Sequence, residues 1–225
     1  KGLKLLAQCK ELKIPKVIGQ NKNYLILEFI LPTFSSQNFF SCFGKQLAAL
    51  HKIKGATFGL NHDNFIGLTS QTNKINPSWT EFFKSERLIF QYHLAKKNTL
   101  IDSSFETMFY HLIDRLPQII GDIEITPSLV HGDLWSGNFL VYKENRACLI
   151  DPAIYYAHRE VDLAMTKLFG GFGPEFYQSY HESYPLDPGY EKRFELYNLY
   201  HIMNHMNLFG PSYTSQAKSI MKNLL

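Results

Sequence analysis

Cysteine is scarce in this chain of 225 residues: Cys9, Cys42 and Cys148 are odd in number and far apart. Neither a zinc-type spacing nor a disulfide framework can be built from them. Long apolar runs are missing too, and no stretch reaches the roughly 18 consecutive apolar residues of a membrane-spanning helix. At the start, Lys1, Lys4, Lys10 and Glu11 interrupt any signal-peptide core. The net charge is only +3, which suits a phosphate-bearing ligand, and no Lys/Arg stripe argues for nucleic acid. Lys96-Lys97 reads as the cationic end of a solvated helix. These absences predict a reducing, cytoplasmic setting, with neither nucleic acid nor membrane as partner. Phosphate-cradling glycine patterns are absent as well: Gly2 and Gly19 stand alone, and neither G-x-G-x-x-G nor G-x-x-x-x-G-K-[ST] occurs.

What is present is apolar and aromatic. Hydrophobic residues make up 45% of the chain and include 18 Phe and 13 Tyr, enough for a core in one large domain or two small ones. Residues 1–12 carry apolar positions at helical spacing, and Pro15 stops that helix. Val17-Ile18 and 24–30 read as strands around the turn Gln20-Asn21-Lys22-Asn23. Ser35-Ser36 offers an N-cap to a helix running through Leu47, Leu50 and His51. Residues 57–77 lack periodicity and read as one long ordered loop. Helices follow over 79–95 and 105–120 and, later, over 160–169, 174–183, 188–208 and 212–225.

The chemistry concentrates in His131-Gly132-Asp133-Leu134-Trp135-Ser136-Gly137-Asn138 and in Cys148-Leu149-Ile150-Asp151-Pro152. Residues 127–130 form a short buried strand that enters a turn at Gly132. The apolar runs 139–142 and 147–150 flank the polar Lys143-Glu144-Asn145-Arg146, which predicts a hairpin. Such a hairpin sets Asn138 beside Asp151, with Asp133 in the loop just before. One carboxylate can take a proton from an attacking hydroxyl, while an amide oxygen and a second carboxylate can hold Mg²⁺ on a nucleotide. Asp133 is the candidate general base, and Asn138 and Asp151 are the candidate metal ligands. Trp135, two residues beyond the base, can stack on a sugar ring or an amine substituent. His131 reads as a brace of the loop. Asp162, at the start of a helix, is a supporting residue able to accept loop N–H groups. His201 and His205 are spaced i,i+4, but Ile202 breaks the zinc motif, so Asn204, His205 and Asn207 read instead as hydrogen-bonding partners of sugar hydroxyls.

At these residues the chain resembles the kinase-like phosphotransferases, whose catalytic loop places an Asn five residues after its Asp and is followed by a second metal-binding Asp. Gly132 in place of Arg, and Asp151-Pro152-Ala153, look like the branch that includes aminoglycoside and choline kinases. Leu134-Trp135-Ser136-Gly137-Asn138, Arg159-Glu160-Val161-Asp162-Leu163-Ala164-Met165, Leu168-Phe169-Gly170-Gly171-Phe172 and 204–210 narrow the resemblance to the fructosamine/ketosamine 3-kinases, as do Phe65-Ile66-Gly67 and Thr69-Ser70-Gln71-Thr72-Asn73.

The resemblance implies an α+β, protein-kinase-like two-lobed fold. Residues 1–30 would be an incomplete N-terminal nucleotide-binding lobe with its hinge, and residues 31–225 a mostly helical catalytic lobe carrying the β-hairpin. It implies ATP and Mg²⁺, adenine contacts from Glu28, Phe29 and Ile30, and phosphorylation of the 3-hydroxyl of a ketosamine, free or protein-linked. It also implies that the first strands, the phosphate loop and the ATP-pairing lysine precede the first residue of this sequence. Weak ATP binding or poor folding of the 225-residue polypeptide is therefore expected, which micromolar Mg-ATP affinity by calorimetry would overturn. A related phosphotransferase with an aminoglycoside- or choline-type acceptor stays open beside this reading. So does a kinase-like nucleotide-binding module without chemistry.

Overall fold

The computed structural model describes all residues from 1 to 225. The first helix, α1 (Gly2–Leu6), is shorter than its apolar spacing predicts. Residues beyond it are drawn into a tertiary contact: the Lys13 N–H donates to the Ala147 carbonyl at 2.9 Å, and the Leu149 N–H donates to the Lys13 carbonyl at 3.0 Å. β1 (Val17–Gln20) and β2 (Leu25–Leu27) form an antiparallel hairpin around the expected turn, whose Asn21 side chain accepts from the N–H groups of Asn23 and Tyr24. The second strand ends at Leu27, so 28–36 is a connector outside any strand or helix, and a turn at 37–38 leads into the next helix. The connector is tied down by Thr33 N–H donating to the Val141 carbonyl at 2.9 Å.

α2 (Phe39–His51) buries Phe39, Phe43, Leu47, Leu50 and His51 and packs on α7 (Pro174–Ser183). The stretch 57–77 is ordered, as expected, but it is not loop throughout. It contains a second hairpin, β3 (Asn64–Ile66) with β4 (Thr69–Gln71), turning at Gly67. Three-residue strands, Asn-Phe-Ile and Thr-Ser-Gln, are too short to display a strand period.

α3 (Trp79–Phe82) passes through a π-helical segment (Phe83–Ile89) into α4 (Phe90–Lys97), making one rod where a single helix was expected. α5 (Ser103–Ile120) is capped by Asp102, which accepts from the Phe105 N–H at 2.8 Å. β5 (Ser128–Val130), β6 (Phe139–Tyr142) and β7 (Arg146–Leu149) lie within one residue of the predicted strands, with Arg146 paired to Tyr142 inside the ladder and only 143–145 left as the connection. β8 (Tyr155–Ala157), which was not foreseen, pairs antiparallel with β5.

α6 (Glu160–Leu168), α8 (Tyr190–Phe209) and α9 (Thr214–Leu224) complete the chain. α8 is buried on most of its circumference because α4, α6 and α9 pack around it. Leu3, Leu6 and Leu12 join the same apolar core as Met221 and Leu224. No helix is long and apolar enough to cross a membrane.

Candidate active site

The loop from β5 to β6 carries the first half of the site. Gly132 turns it with φ +83°, and a β-carbon there would lie 2.1 Å from the Ala153 carbonyl oxygen. Only glycine fits both the backbone conformation and the approach. The N–H groups of His131 and Gly132 donate to the two oxygens of Asp162 at 2.7 and 2.8 Å. His51 adds a third donor to this fully buried carboxylate, its Nε2 lying 3.1 Å from Oδ2 while its Nδ1 accepts from the Tyr180 hydroxyl at 2.8 Å. Burial pushes the Asp162 carboxyl up, but the hydrogen bonds from His51 and from the His131 N–H outweigh it and hold the group below its ordinary value.

His131 is buried, with its Nε2–H donating to the Ile150 carbonyl at 2.8 Å, so its Nδ1 is the acceptor for the Asp133 N–H at 3.3 Å. This tautomer is neutral, and burial lowers the imidazole pKa accordingly. His131 thus laces the loop of Asp133 to the residue that follows β7.

The β6–β7 register pairs Phe139 with Leu149 and brings the Ile150 N–H onto the Asn138 carbonyl at 3.0 Å. The hairpin therefore sets Asn138 next to the strand end that leads directly into Asp151, as the polar 143–146 connection predicts. Asn138 is buried, and its Nδ2 donates to the Asp133 carbonyl at 2.8 Å and to Asp133 Oδ2 at 3.3 Å. With both amide hydrogens committed to Asp133, Asn138 Oδ1 is left as a free acceptor. Asp151 is exposed, with φ +50°, an unusual conformation for a residue bearing a β-carbon. An amide oxygen and an exposed carboxylate make an all-oxygen donor set that fits a hard divalent cation also held by phosphates and water. No group of three or more His, Cys, Asp or Glu side chains forms a separate metal site.

Asp133 is half-buried at a cavity of about 400 Å³. Burial, opposed by the Asn138 amide and reinforced by the charges of Asp162 and Asp151, pushes its carboxyl up to about 7. The same cavity is lined by Trp135, Asn204 and His205. The Trp135 indole lies over Gly137, where a β-carbon would come within 2.3–2.6 Å of the ring. Phe169 meets that indole edge-on, with ring centroids 6.5 Å apart, and the Phe169 ring in turn lies 5.2 Å from the His205 ring. His205 donates from Nδ1 to the His201 carbonyl at 2.7 Å, which leaves Nε2 as an acceptor.

Asn207 is not brought to the cavity: its amide donates to the backbone and side-chain oxygens of Gln91 at 3.0 and 2.8 Å, bracing α8 against α4. Sequence reasoning gave no role to Ile66, Gly67, Met165 or Phe169, which also line the cavity. Nor did it single out His51, a histidine on the apolar face of α2 with no local mark of function.

In the connector, the Glu28 carboxylate is bound by Lys13 at 2.7 and 2.8 Å and by the Lys16 N–H at 3.0 Å. Phe29 is exposed and Ile30 buried. The backbone N–H and C=O groups of both lack partners in the chain. Unpaired extended backbone is what the planar edge of a base can engage.

The fructosamine kinase family model matches residues 1–225. A probable ketoamine kinase of Synechocystis is 42% identical over 229 residues, covering 100% of this chain and 76% of that relative. A chloroplastic protein-ribulosamine 3-kinase of Arabidopsis thaliana is 37% identical over 231 residues, covering 100% of this chain and 70% of the relative. A crystal structure of a candidate fructosamine-3-kinase from Thermobifida fusca matches with a TM-score of 0.93 at 30% identity, over 99% of this chain and 77% of that one. An ADP-bound aminoglycoside phosphotransferase matches at 0.62 with 17% identity, over 98% of this chain and 77% of its own, a likeness of fold alone. The α+β architecture is therefore the kinase-like one.

Proposed function

The chain belongs to the fructosamine kinase family, and on that premise we propose that it moves the γ-phosphoryl group of ATP onto the 3-hydroxyl of a ketosamine, free or protein-linked. The observation that carries this reading is the carboxylate of Asp133, held by Asn138 and facing a cavity walled by Trp135 and His205. A group titrating near 7 is matched to removing a hydroxyl proton at neutral pH. The 3-hydroxyl gives its proton to Asp133 as its oxygen forms the bond to the γ-phosphorus. The bond from that phosphorus to the β–γ bridging oxygen breaks, and ADP leaves.

Asn138 Oδ1 and the Asp151 carboxylate would hold Mg²⁺, which supplies charge neutralisation on the β- and γ-phosphates. His131 and Asp162 keep the loop in place, and Asn138 aims the Asp133 carboxylate through its amide. Trp135 offers the sugar a flat face backed by Gly137, and Asn204 and His205 offer hydrogen bonds to its hydroxyls. The unpaired backbone of Phe29 and Ile30, anchored through Glu28 and Lys13, is the adenine-binding candidate.

ATP consumption by the full-length protein is to be measured with fructosamine, ribulosamine, aminoglycoside and choline acceptors. Turnover is expected with a ketosamine, and turnover only with choline or an aminoglycoside overturns the acceptor assignment. Asp133→Asn should cut kcat by about 10²–10⁴ while nucleotide binding persists. Wild-type turnover of that variant removes Asp133 from the mechanism.

A further inference from the structure

The segment 57–77 and the π-helical turn after α3 enclose a buried polar network that the proposed chemistry does not use. Arg87 is completely buried and has no carboxylate partner. Its guanidinium lies 4.0 Å from the Tyr155 ring centroid and 4.8 Å from that of Phe82. It donates to the Thr72 carbonyl at 2.6 Å and to Asn73 Oδ1 at 2.8 Å. Asn73 passes the chain on, its Nδ2 donating to Asn64 Oδ1 at 2.9 Å, and Gln71 Nε2 donates to that same oxygen at 2.8 Å. Gln71 Oε1 accepts from the Tyr200 hydroxyl at 2.8 Å.

The network ends on backbone. Gln71 Nε2 donates to the Ala153 carbonyl at 3.0 Å, and Asn64 Nδ2 donates to the Ile154 carbonyl at 2.7 Å. Those two carbonyls lie immediately beyond Asp151-Pro152, and the Ala153 oxygen is the atom against which Gly132 is packed. The base of the β3–β4 hairpin therefore grips a segment that touches both halves of the site. On one side it limits where Asp151, with its left-handed backbone, can sit. On the other it sets the floor under the loop of Asp133. The tip of the same hairpin contributes Ile66 and Gly67 to the cavity.

We propose that Gln71 and Asn64 are positioning residues for phosphoryl transfer, holding the 151–154 turn so that Asp151 and Asp133 keep their mutual geometry. This rests on the roles proposed for those two aspartates. Neither amide reaches the cavity, so neither touches the acceptor. A buried polar network satisfied at nearly every atom specifies one geometry, and an error of about 1 Å at a phosphoryl-transfer site costs on the order of a hundredfold in rate.

The test uses Gln71→Leu and Asn64→Leu in the full-length protein, with Tyr197→Phe as the control for lost stability. Tyr197 belongs to a separate buried network with Trp79 and His158. Kinetics, thermal midpoint and Mn²⁺ affinity in the presence of nucleotide, read from water-proton relaxation, are measured for each. The expected result for both Leu variants is a fall in kcat of about tenfold to a hundredfold, a KM for the acceptor within about threefold of wild type, and weakened Mn²⁺ binding. Gln71→Glu, which keeps the Tyr200 bond but loses the donor to Ala153, should behave like the Leu variant. Tyr197→Phe should lower the midpoint without changing kcat or Mn²⁺ affinity. A Gln71→Leu enzyme with wild-type kcat and Mn²⁺ affinity overturns the proposal, as does a kcat loss that Tyr197→Phe reproduces at equal midpoint. If Asp133→Asn and Asp151→Ala are themselves fully active, it is the reading of the site that has failed.

Discussion

Replacing Asp162 by asparagine changes the charge of one buried carboxylate and almost nothing of its shape. The carboxylate accepts three N–H groups: His131 and His51 on Oδ2 at 2.7 and 3.1 Å, and Gly132 on Oδ1 at 2.8 Å. An amide can place its oxygen at the Oδ2 position and keep two of them. Its NH₂ then faces the Gly132 N–H, donor against donor. Leaving that buried N–H unmet costs about 1–3 kcal/mol, and the two surviving bonds fall from charge-assisted to neutral, roughly half the strength. Relief from burying an ion offsets part of this. The expected net loss is about 2–4 kcal/mol at neutral pH, or about 5–15 °C in thermal midpoint for a chain of this size.

The sign of the pH dependence follows from the direction of the shift. The folded state holds the Asp162 carboxyl below its ordinary value, so the stabilisation is fully present above the unfolded pKa of about 3.9 and is lost as pH falls through the folded value. The gap between wild type and Asp162→Asn should therefore be widest near pH 7 and close in acid. Urea unfolding of both proteins from pH 7 downward, followed by far-UV circular dichroism, measures it. A variant within about 0.5 kcal/mol of wild type at pH 7, the scatter of ordinary surface substitutions, refutes the three-donor account. So does a gap that stays constant into acid. Activity gives a second reading. Gly132 leads directly into Asp133, so kcat should fall at temperatures where the variant is still folded.

Gly132→Ala sets a β-carbon 2.1 Å from a backbone oxygen at φ +83°. Left-handed strain and overpacking of about 1–3 kcal/mol each should destabilise it by about 2–6 kcal/mol, and a midpoint like wild type in thermal unfolding would contradict the packing described. Gly137→Ala instead disturbs the indole of Trp135, which is 39% exposed and so costs little stability when displaced. Its KM for the acceptor should rise several-fold with a shifted tryptophan emission, and unchanged emission together with unchanged KM would detach Trp135 from the acceptor.

The parts of this site that sequence displays are those whose partners are close along the chain. Two apolar runs separated by Lys143-Glu144-Asn145-Arg146 allow few pairings, and the observed register follows from that spacing, carrying Asn138 to the strand end before Asp151. Asp133 needs no pairing at all, since it follows the turn that Gly132 enforces. The contacts that hold these residues are another matter. Asp162 reaches its loop across 30 residues, and His51 reaches Asp162 across 111. Nothing near His51 distinguishes it from a core histidine until α2 is laid against the loop. The 57–77 stretch was illegible because its strands are only three residues long, and Asn64 and Gln71 at their paired ends are spent on the Ala153 and Ile154 carbonyls rather than on an apolar face. Asn207 shares a helix with Asn204 and His205, yet Gln91 offers it two acceptors and draws it away from the cavity. In each case the deciding quantity is a buried donor or acceptor left over by folding, which must be met by whatever lies opposite. A motif states what the reacting groups can do. Which side chains keep them aligned depends on which backbone atoms the assembled fold leaves unpaired, and that is why Asn64 and Gln71 emerge only once the turn after Asp151 is seen resting on them.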